Sequence, residues 1–368
     1  MRKYIFAVLI VLLTCQMAFG STYASKLDRV SDADMKTAVL RGGLTVADFQ
    51  GGGLTNSGNV YYVDSVNGAD NRSGRSWALA VATINQARIL AAAARSAGTD
   101  DGKAIIYARE SHAETITGSS ALVANLSGTT YRGVGRTRPI LTFSPTSANE
   151  TFLLPITGTG TVFSGFRFTV ASAHYDALID YPIHVNADDV VIVDCEFIEP
   201  DKVTVDTWIA TAGSKIDNFT LDNCFHQGTT SGSAQGQGDG FVMLRGGRGH
   251  KIINNTSSGN FDFGNVQVSS ISFGGTIDGP KDLLIEKNFF QNTGSSVAAC
   301  IFGTVPDATG WINKNTLNIQ PTISMGLDRR FEREQHVFQA GSMTLSENYG
   351  SWLTGYSATL VGTVNFEP

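Results

Sequence analysis

Charge, proline and cysteine are all scarce in this chain. Charged residues make up 16% of its 368 residues, and it contains only 9 Pro and 4 Cys. The formal net charge is −6 and no basic stripe runs along the sequence, which argues against a nucleic-acid partner. The few Cys and His residues show no spacing typical of a metal site, so we predict neither a metal nor another cofactor.

Long apolar runs are also missing, apart from one at the N-terminus. There, a basic start precedes an apolar stretch at 4–13 that is too short to span a bilayer. The small-x-small sequence that ends at Gly20 predicts a signal peptide, 1–20, that is removed after Gly20. Lipidation of Cys15 and a buried helix in an intracellular protein are the alternatives. A cleaved leader predicts a protein that is secreted or at the cell surface, with no membrane span once the leader is gone.

Glycine, by contrast, is abundant, with 40 residues, and one short pattern keeps returning. An apolar residue is followed three positions later by an anchor residue, most often Asn. The anchors are Phe166, Cys195, Asn223, Asn255, Asn288, Asn315 and Asn348. The intervals between them range from 27 to 33 residues, and a near-constant period of this length indicates a repeat architecture.

Each repeat unit has the composition of short strands and turns. Val, Ile, Phe and Thr alternate with other residues, and Gly, Asn, Asp and Ser stand between these stretches. No unit has room for a three-turn helix. The predicted fold is therefore all-β, a single-stranded right-handed parallel β-helix of about nine coils, which at about 4.8 Å per coil is a rod on the order of 40–45 Å long.

Asparagine at the anchors has a structural explanation. Asn tolerates a left-handed backbone at a tight bend, and it can also point inward and bond to the Asn of the next coil. We therefore predict a structural ladder of Asn223, Asn255, Asn288, Asn315 and Asn348. Cys195 is predicted to be a small core residue, and Cys224, one position past an anchor, is expected to face the opposite side, which argues against a disulfide between them.

The rest of the chain divides into three segments. Residues 21–58 are rich in Gly and are predicted to be a flexible tail. Residues 59–100 are predicted to form an entry strand and an amphipathic helix, which has Ile84, Ala87, Ile89 and Leu90 at helical spacing. This helix is expected to cap the open end of the sheets, which would otherwise template aggregation. Residues 101–368 form the predicted parallel β-helix.

The entry segment carries a family resemblance. The stretches "YYVDSVNGADNRSGRSWALAVATINQA" and "AIIYARESHAETI", within 59–116, resemble the entry region of the pectin lyase-like, right-handed parallel β-helix superfamily. Together with the "SENYGS" ending, they resemble more narrowly uncharacterised β-helix proteins encoded by bacterial viruses. The superfamily includes polysaccharide lyases, galacturonan hydrolases, adhesins and virus tail-spike rods, so the resemblance implies a fold and leaves the function open.

The catalytic patterns of that superfamily are incomplete here. Its galacturonan hydrolases carry an Asp-Asp pair and a Gly-His-Gly, whereas "GQGDGF" supplies Asp239 alone and His250 is not followed by Gly. Glycoside hydrolysis needs two carboxylates at a working separation. We predict no catalytic residues, with Asp239 as the one candidate base. His112 and Glu114 could form a metal pair, but the resemblance implies a structural Glu at this bend.

A basic cluster in "MLRGGRGHK" is the candidate ligand-binding site. It consists of Arg245, Arg248, His250 and Lys251 in a Gly-rich turn. The segment lacks the strand, loop and helix order of a phosphate-binding loop. It reads either as a solvated turn or as an anion-facing patch for acidic sugars.

These observations favour a non-enzymatic structural or adhesive rod that is exported or virion-associated and faces a glycan. The expected partners are a polysaccharide or cell-surface glycan and further copies of the chain in a homo-oligomer. The alternative is a secreted polysaccharide lyase or glycoside hydrolase that acts on acidic glycans. Acidic or basic residues that converge from three adjacent coils would favour the alternative.

Overall fold

The structure is a computed structural model of the chain. It describes residues 59–98, 103–145, 152–171, 179–199, 205–212, 216–228, 238–269, 271–273, 276–293, 300–303, 308–319, 337–338, 342–346 and 348–352. All of them belong to Gly58–Pro368, the second of two units into which the chain divides. The predicted leader, 1–20, and tail, 21–58, lie outside the described residues.

The described chain is an all-β parallel β-solenoid with three long parallel sheets. The first sheet contains β1 Val60–Val63, β2 Ile105–Arg109, β4 Thr130–Val134, β7 Val162–Ser164, β10 Val191–Val193, β13 Thr220–Asp222, β16 Lys251–Ile253, β21 Leu283–Glu286, β24 Thr309–Asn313 and β27 Ser342–Ser346. The second contains β3 Ala113–Ile116, β5 Ile140–Phe143, β8 Arg167–Val170, β11 Glu196–Ile198, β14 Phe225–Gln227, β17 Thr256–Gly259, β22 Phe289–Asn292, β25 Thr316–Ile319 and β28 Tyr349–Trp352.

The third sheet is shorter. It contains β6 Phe152–Ile156, β9 Tyr181–Val185, β12 Thr207–Thr211, β15 Gly238–Arg245, β18 Phe261–Ser269, β23 Ile301–Gly303 and β26 Val337–Phe338. A separate antiparallel pair is formed by β19 Ile271–Phe273 and β20 Thr276–Asp278. About six turns make up the solenoid, which confirms the prediction of stacked strands from a repeat of about thirty residues.

One α-helix is described, α1 Ile84–Ser96, after a short 3-10 helix, Trp77–Leu79. The Thr83 side chain caps it by accepting from Gln86 N at 3.1 Å. Its buried face is Ile84, Ala87 and Ala91, which join the core beside β1 and β2. Ile89, also named among the apolar residues at helical spacing, does not share this face and is 42% exposed.

Aromatic side chains fill much of the core. In the short strands only the middle residue points inward, and the inward residues of neighbouring strands stack on one another. Tyr131 stacks on Phe163 with ring centroids 4.5 Å apart, and Phe168 stacks on Phe197 at 5.1 Å. Contacts of this kind add to the energy of apolar burial, because stacked rings gain about 0.5–1.5 kcal/mol per pair.

Two columns of left-handed backbone border the short strands of the first sheet. Gly160, Asp189, Asn218, Gly249 and Asp282 precede the strands, and Gly165, Asp194, Asn223, Asn254, Lys287 and Lys314 follow them, all with φ between 50° and 74°. Gly, Asn and Asp dominate both columns because they adopt this conformation at the lowest cost. Each turn of the solenoid therefore bends twice within a few residues.

A column of buried amides lies directly after the second bend. Asn288 Oδ1 accepts from the backbone N–H and the Nδ2 of Asn255 at 2.9 and 3.0 Å. Asn288 Nδ2 donates to Ile252 O at 2.8 Å and to Asn315 Oδ1 at 2.9 Å. Asn315 repeats the pattern with Asn348, to which its Nδ2 donates at 2.9 Å. Each side chain thereby ties its own coil to both neighbours, and buried polar atoms that would be costly alone satisfy one another.

Asn223 does not belong to this column, so its predicted place in the ladder was wrong. Asn223 is exposed and is itself one of the left-handed residues, with φ 50°. The column position on that coil is Cys224, whose backbone N–H donates to Asn255 Oδ1 at 2.9 Å. The left-handed backbone and the inward side chain belong to two consecutive residues, and Asn is common at both.

The one-residue offset between the left-handed bend and the inward column also corrects the prediction for the cysteines. Strand register places Cys195 next to Cys224 in the column, so the two do not face opposite sides. Both are buried and free, and the Sγ of Cys224 donates to Ile192 O at 3.7 Å. That bond is the counterpart of the one from Asn255 Nδ2 to Leu221 O, at 3.0 Å on the next coil.

Lys287 offers a test of the bends. A left-handed backbone costs an ordinary L-residue about 1–2 kcal/mol, and Asn is among the residues that adopt it most easily. We expect Lys287→Asn to raise the free energy of unfolding by about 0.5–1 kcal/mol, measured by urea denaturation. Lys251→Asn is the control, because Lys251 is exposed within a strand. Equal changes in the free energy of unfolding of both variants would contradict the conclusion that the left-handed backbone at Lys287 is strained.

Candidate functional site

The predicted basic cluster is divided between different environments, and His250 lies in the core. Its side chain is fully buried, Nδ1 accepts from Phe219 N at 3.2 Å, and Nε2 donates to Gly246 O at 2.8 Å. Burial lowers the pKa of His250. A neutral, buried imidazole with both nitrogens bonded cannot meet an anion in solvent, so the expectation that it faces a ligand is withdrawn.

Arg245 lies on the outer face of the third sheet, at the end of β15. Its guanidinium donates to Tyr181 Oη at 2.6 Å and lies over that ring, 4.9 Å from the centroid. Its Nε also lies 3.0 Å from Met243 Sδ. Burial and, less strongly, the Arg245 charge lower the pKa of His184 on the neighbouring part of this face. Arg245 is thus a fixed, partly exposed cation.

The other two basic residues lie on the bend and on the first sheet. Arg248 Nε is 3.5 Å from Asp282 Oδ2, and both side chains are largely exposed. Lys251 is exposed on β16. Exposed ion pairs contribute little to stability, so these residues remain available to an anionic ligand. They do not share the surface on which Arg245 lies.

Asp239 belongs to an acidic row that was not predicted. Strand register, extended to the residues that directly precede β9 and β12, aligns Asp180 and Asp206 with Asp239 of β15 in the third sheet. Backbone bonds connect them, since Asp239 N donates to Asp206 O at 2.7 Å and Thr207 N donates to Asp180 O at 3.0 Å. All three are partly exposed, and burial raises the pKa of Asp180.

This row and Arg245 form the candidate site. Neighbouring strands are about 4.8 Å apart, so the backbones of adjacent Asp residues in the row are separated by about one strand spacing. Arg245 and Asp239 lie at opposite ends of β15, and the Arg245 guanidinium bonds to Tyr181, which directly follows Asp180. The three carboxylates can bind a polar ligand or move a proton.

His112 and Glu114 have a structural arrangement. His112 is buried, its Nδ1 accepts from Ser65 N at 3.1 Å, and its Nε2 donates to Glu114 Oε2 at 3.1 Å. The same carboxylate oxygen accepts from Ile84 N at 2.8 Å, at the N-terminus of α1. A carboxylate is favoured there by the helix dipole, so the pair positions the helix.

Two broader properties hold for the described ranges. They contain no group of three or more His, Cys, Asp and Glu side chains arranged to hold a metal ion. They also contain no helix with the length and apolar character needed to cross a membrane.

Comparison with known proteins adds no assignment. No protein-family model matches this chain, and no curated protein matches it with significant similarity. A function for this chain is therefore inferred from the solenoid and its surfaces.

Proposed function

We propose that the protein is a non-enzymatic structural or adhesive rod that faces a glycan. The main support is the continuity of the stack: parallel pairing runs from coil to coil through the described strands of all three sheets, with one irregularity of register between β15 and β18. The buried amides of Asn255, Asn288 and Asn315 bond coil to coil. Such a scaffold holds its outer faces rigid and repetitive, as an adhesive or spacer requires.

The finer features of this proposal extend the observed fold. The solenoid is right-handed and pectin lyase-like, with about nine coils when the partial ones are included. Helix α1 caps its N-terminal end, since Ile84, Ala87 and Ala91 are buried against the first strands. The rod is exported to the cell surface, or, in the alternative, it is part of a virion such as that of a bacterial virus.

A second candidate function is cleavage of acidic glycans by a lyase or hydrolase. The observation that favours it is the row of Asp180, Asp206 and Asp239 on the sheet that also carries Arg245. Arg245 would bind a substrate carboxylate by charge-assisted bonds, and Asp239 would act as the base. The three carboxylates occupy equivalent positions on one side of the sheet, which favours similar pKa values. Acid–base catalysis by two carboxylates needs pKa values that differ. We therefore rank it second.

A turnover assay separates the two functions. We expect the purified protein to release no new reducing ends and no unsaturated products from polygalacturonate or alginate. If an acidic glycan binds, Arg245→Ala is expected to lower its affinity about tenfold, and added salt is expected to weaken binding, because exposed charges are screened within about 8–10 Å.

Asp239→Ala and Asp222→Ala form the matched pair for this assay. Asp222 is a partly exposed carboxylate on the first sheet, away from the row. A measurable rate that is lost in Asp239→Ala and kept in Asp222→Ala would replace the structural function with the enzymatic one.

A further inference from the structure

The outer face of the second sheet carries exposed aromatic rings at a regular interval. Phe225 on β14 is 40% exposed and Phe289 on β22 is 38% exposed. Strand register places both in one column, with Thr256 between them and Thr316 after Phe289. Tyr349 has the next place in this register, so aromatic residues occupy every second strand from β14 to β28, whereas Glu196 and Arg167 have this place on β11 and β8. The spacing of the aromatic residues is about 9.6 Å, twice the distance between strands.

A second column on this face consists of amides and hydroxyls. Two residues further along each strand, register aligns Gln227, Ser258, Gln291 and Asn318. They lie about 7 Å from the aromatic column, because residues i and i+2 of a strand point to the same side. Amide and hydroxyl groups both donate and accept hydrogen bonds, whereas the rings offer apolar faces.

None of the outward residues on β14, β17, β22 and β25 is charged. The eight positions are Phe225, Gln227, Thr256, Ser258, Phe289, Gln291, Thr316 and Asn318. This distinguishes the face from the third sheet, where Arg245 and the acidic row lie. These eight residues offer no counter-charge to an acidic polymer. A neutral polymer binds through its hydroxyl groups and needs no counter-charge.

We propose that these two columns bind a linear neutral polysaccharide that runs along the stack. Sugar rings would lie on Phe225 and Phe289, with the intervening sugar over Thr256, and their hydroxyls would bond to Gln227, Ser258 and Gln291. The aromatic interval of about 9.6 Å is close to the length of a disaccharide unit in an extended glycan. This inference rests on the proposed adhesive function and names its ligand class.

The rigidity of the face supports this ligand. Each ring is carried by a strand that is hydrogen-bonded on both sides, and the residue before each ring, Cys224 or Asn288, is fixed in the buried column. A surface held in the bound arrangement loses little entropy on binding, which is the usual advantage of preorganisation. A second copy of the chain could also bind to this face, because exposed aromatic residues are common in contacts between proteins.

Binding to a linear glucan and to a linear N-acetylglucosamine polymer tests the proposal, with polygalacturonate as the acidic comparison. We expect Phe225→Ala and Phe289→Ala each to weaken neutral-glycan binding about tenfold, and about a hundredfold together if they act independently. Binding of the parent is expected to be insensitive to salt, because no charge takes part.

Trp311→Ala is the matched control. Trp311 is 57% exposed on β24 of the first sheet, so its loss removes a comparable ring from another face. Equal weakening by Trp311→Ala, or neutral-glycan binding that survives both Phe substitutions, overturns the inference while leaving an adhesive rod in place. Release of shortened chains by the parent contradicts the proposed function, whatever the Phe variants do.

Sedimentation of the same variants tests the other occupant. We expect the parent and the double Phe variant to sediment with the same mass. An oligomer that dissociates when Phe225 and Phe289 are replaced would show that the face is an interface between copies, and it would overturn the glycan proposal.

Discussion

Replacement of Asn288 by Ala is expected to lower the free energy of unfolding by about 2–4 kcal/mol. The side chain accepts two hydrogen bonds from Asn255 and donates to Ile252 O and Asn315 Oδ1. Its loss leaves the Asn255 backbone N–H without this partner in a buried position, where an unsatisfied group costs about 1–3 kcal/mol. Urea denaturation followed by circular dichroism measures the change.

Lys287→Ala is the control for this prediction. Lys287 directly precedes Asn288, and both Lys and Ala carry a Cβ at the left-handed bend, so the backbone strain is unchanged. Its side chain makes only an exposed contact of 3.5 Å with Glu286. We expect a change within about 0.5 kcal/mol. An Asn288→Ala protein as stable as Lys287→Ala would show that the amide column does not hold the coils together.

Acidification is expected to destabilise the protein through His226. Burial lowers the pKa of this imidazole to about 3, from 6.5. Between these two values the unfolded chain binds a proton that the folded chain does not, so the stability falls as the pH falls, by about 1.4 kcal/mol per pH unit. Above about pH 6.5 the imidazole is neutral in both states and the effect is absent. At pH 4 the loss from His226 alone is about 3 kcal/mol.

His226→Phe provides the test. His226 stacks on Phe241 with centroids 4.4 Å apart and lies in register with Phe197, so a Phe ring suits its position. Ser257 Oγ, which bonds to His226 Nδ1, retains Asn265 Nδ2 at 2.9 Å. The substituted protein is expected to lose about 3 kcal/mol less than the parent between pH 7 and pH 4 in urea titrations. An unchanged loss would contradict the prediction. Some dependence will remain, because the pKa values of His184 and His250 are also lowered.

The period and the alternation of apolar residues were enough to predict the parallel solenoid. They failed at Asn223 because one residue type suits two adjacent positions, the left-handed bend and the inward column. Choosing Cys224 instead would have made the first two anchor intervals equal, at 29 residues. His250 was misread for a similar reason: it directly follows the left-handed Gly249, and that position points inward on neighbouring coils, as Phe219 does.

The surfaces could be predicted only where the spacing is regular. Phe225 and Phe289 directly follow the inward column, so their alignment could have been read from the sequence once Cys224 was placed correctly. Asp180, Asp206 and Asp239 could not be aligned in this way. The segments that connect the second sheet to the third differ in length, so the intervals between these residues are 26 and 33, and only strand register brings them together.

We propose that the rod binds a glycan without cleaving it, and the length of the polymer chains after binding is the decisive measurement. The protein is incubated with a linear neutral glucan and, separately, with polygalacturonate, and the polymer retained on it is recovered and sized. We expect retained neutral chains of unchanged length and no shortening of either polymer. Shortened chains, or the absence of any retained polymer, would contradict it.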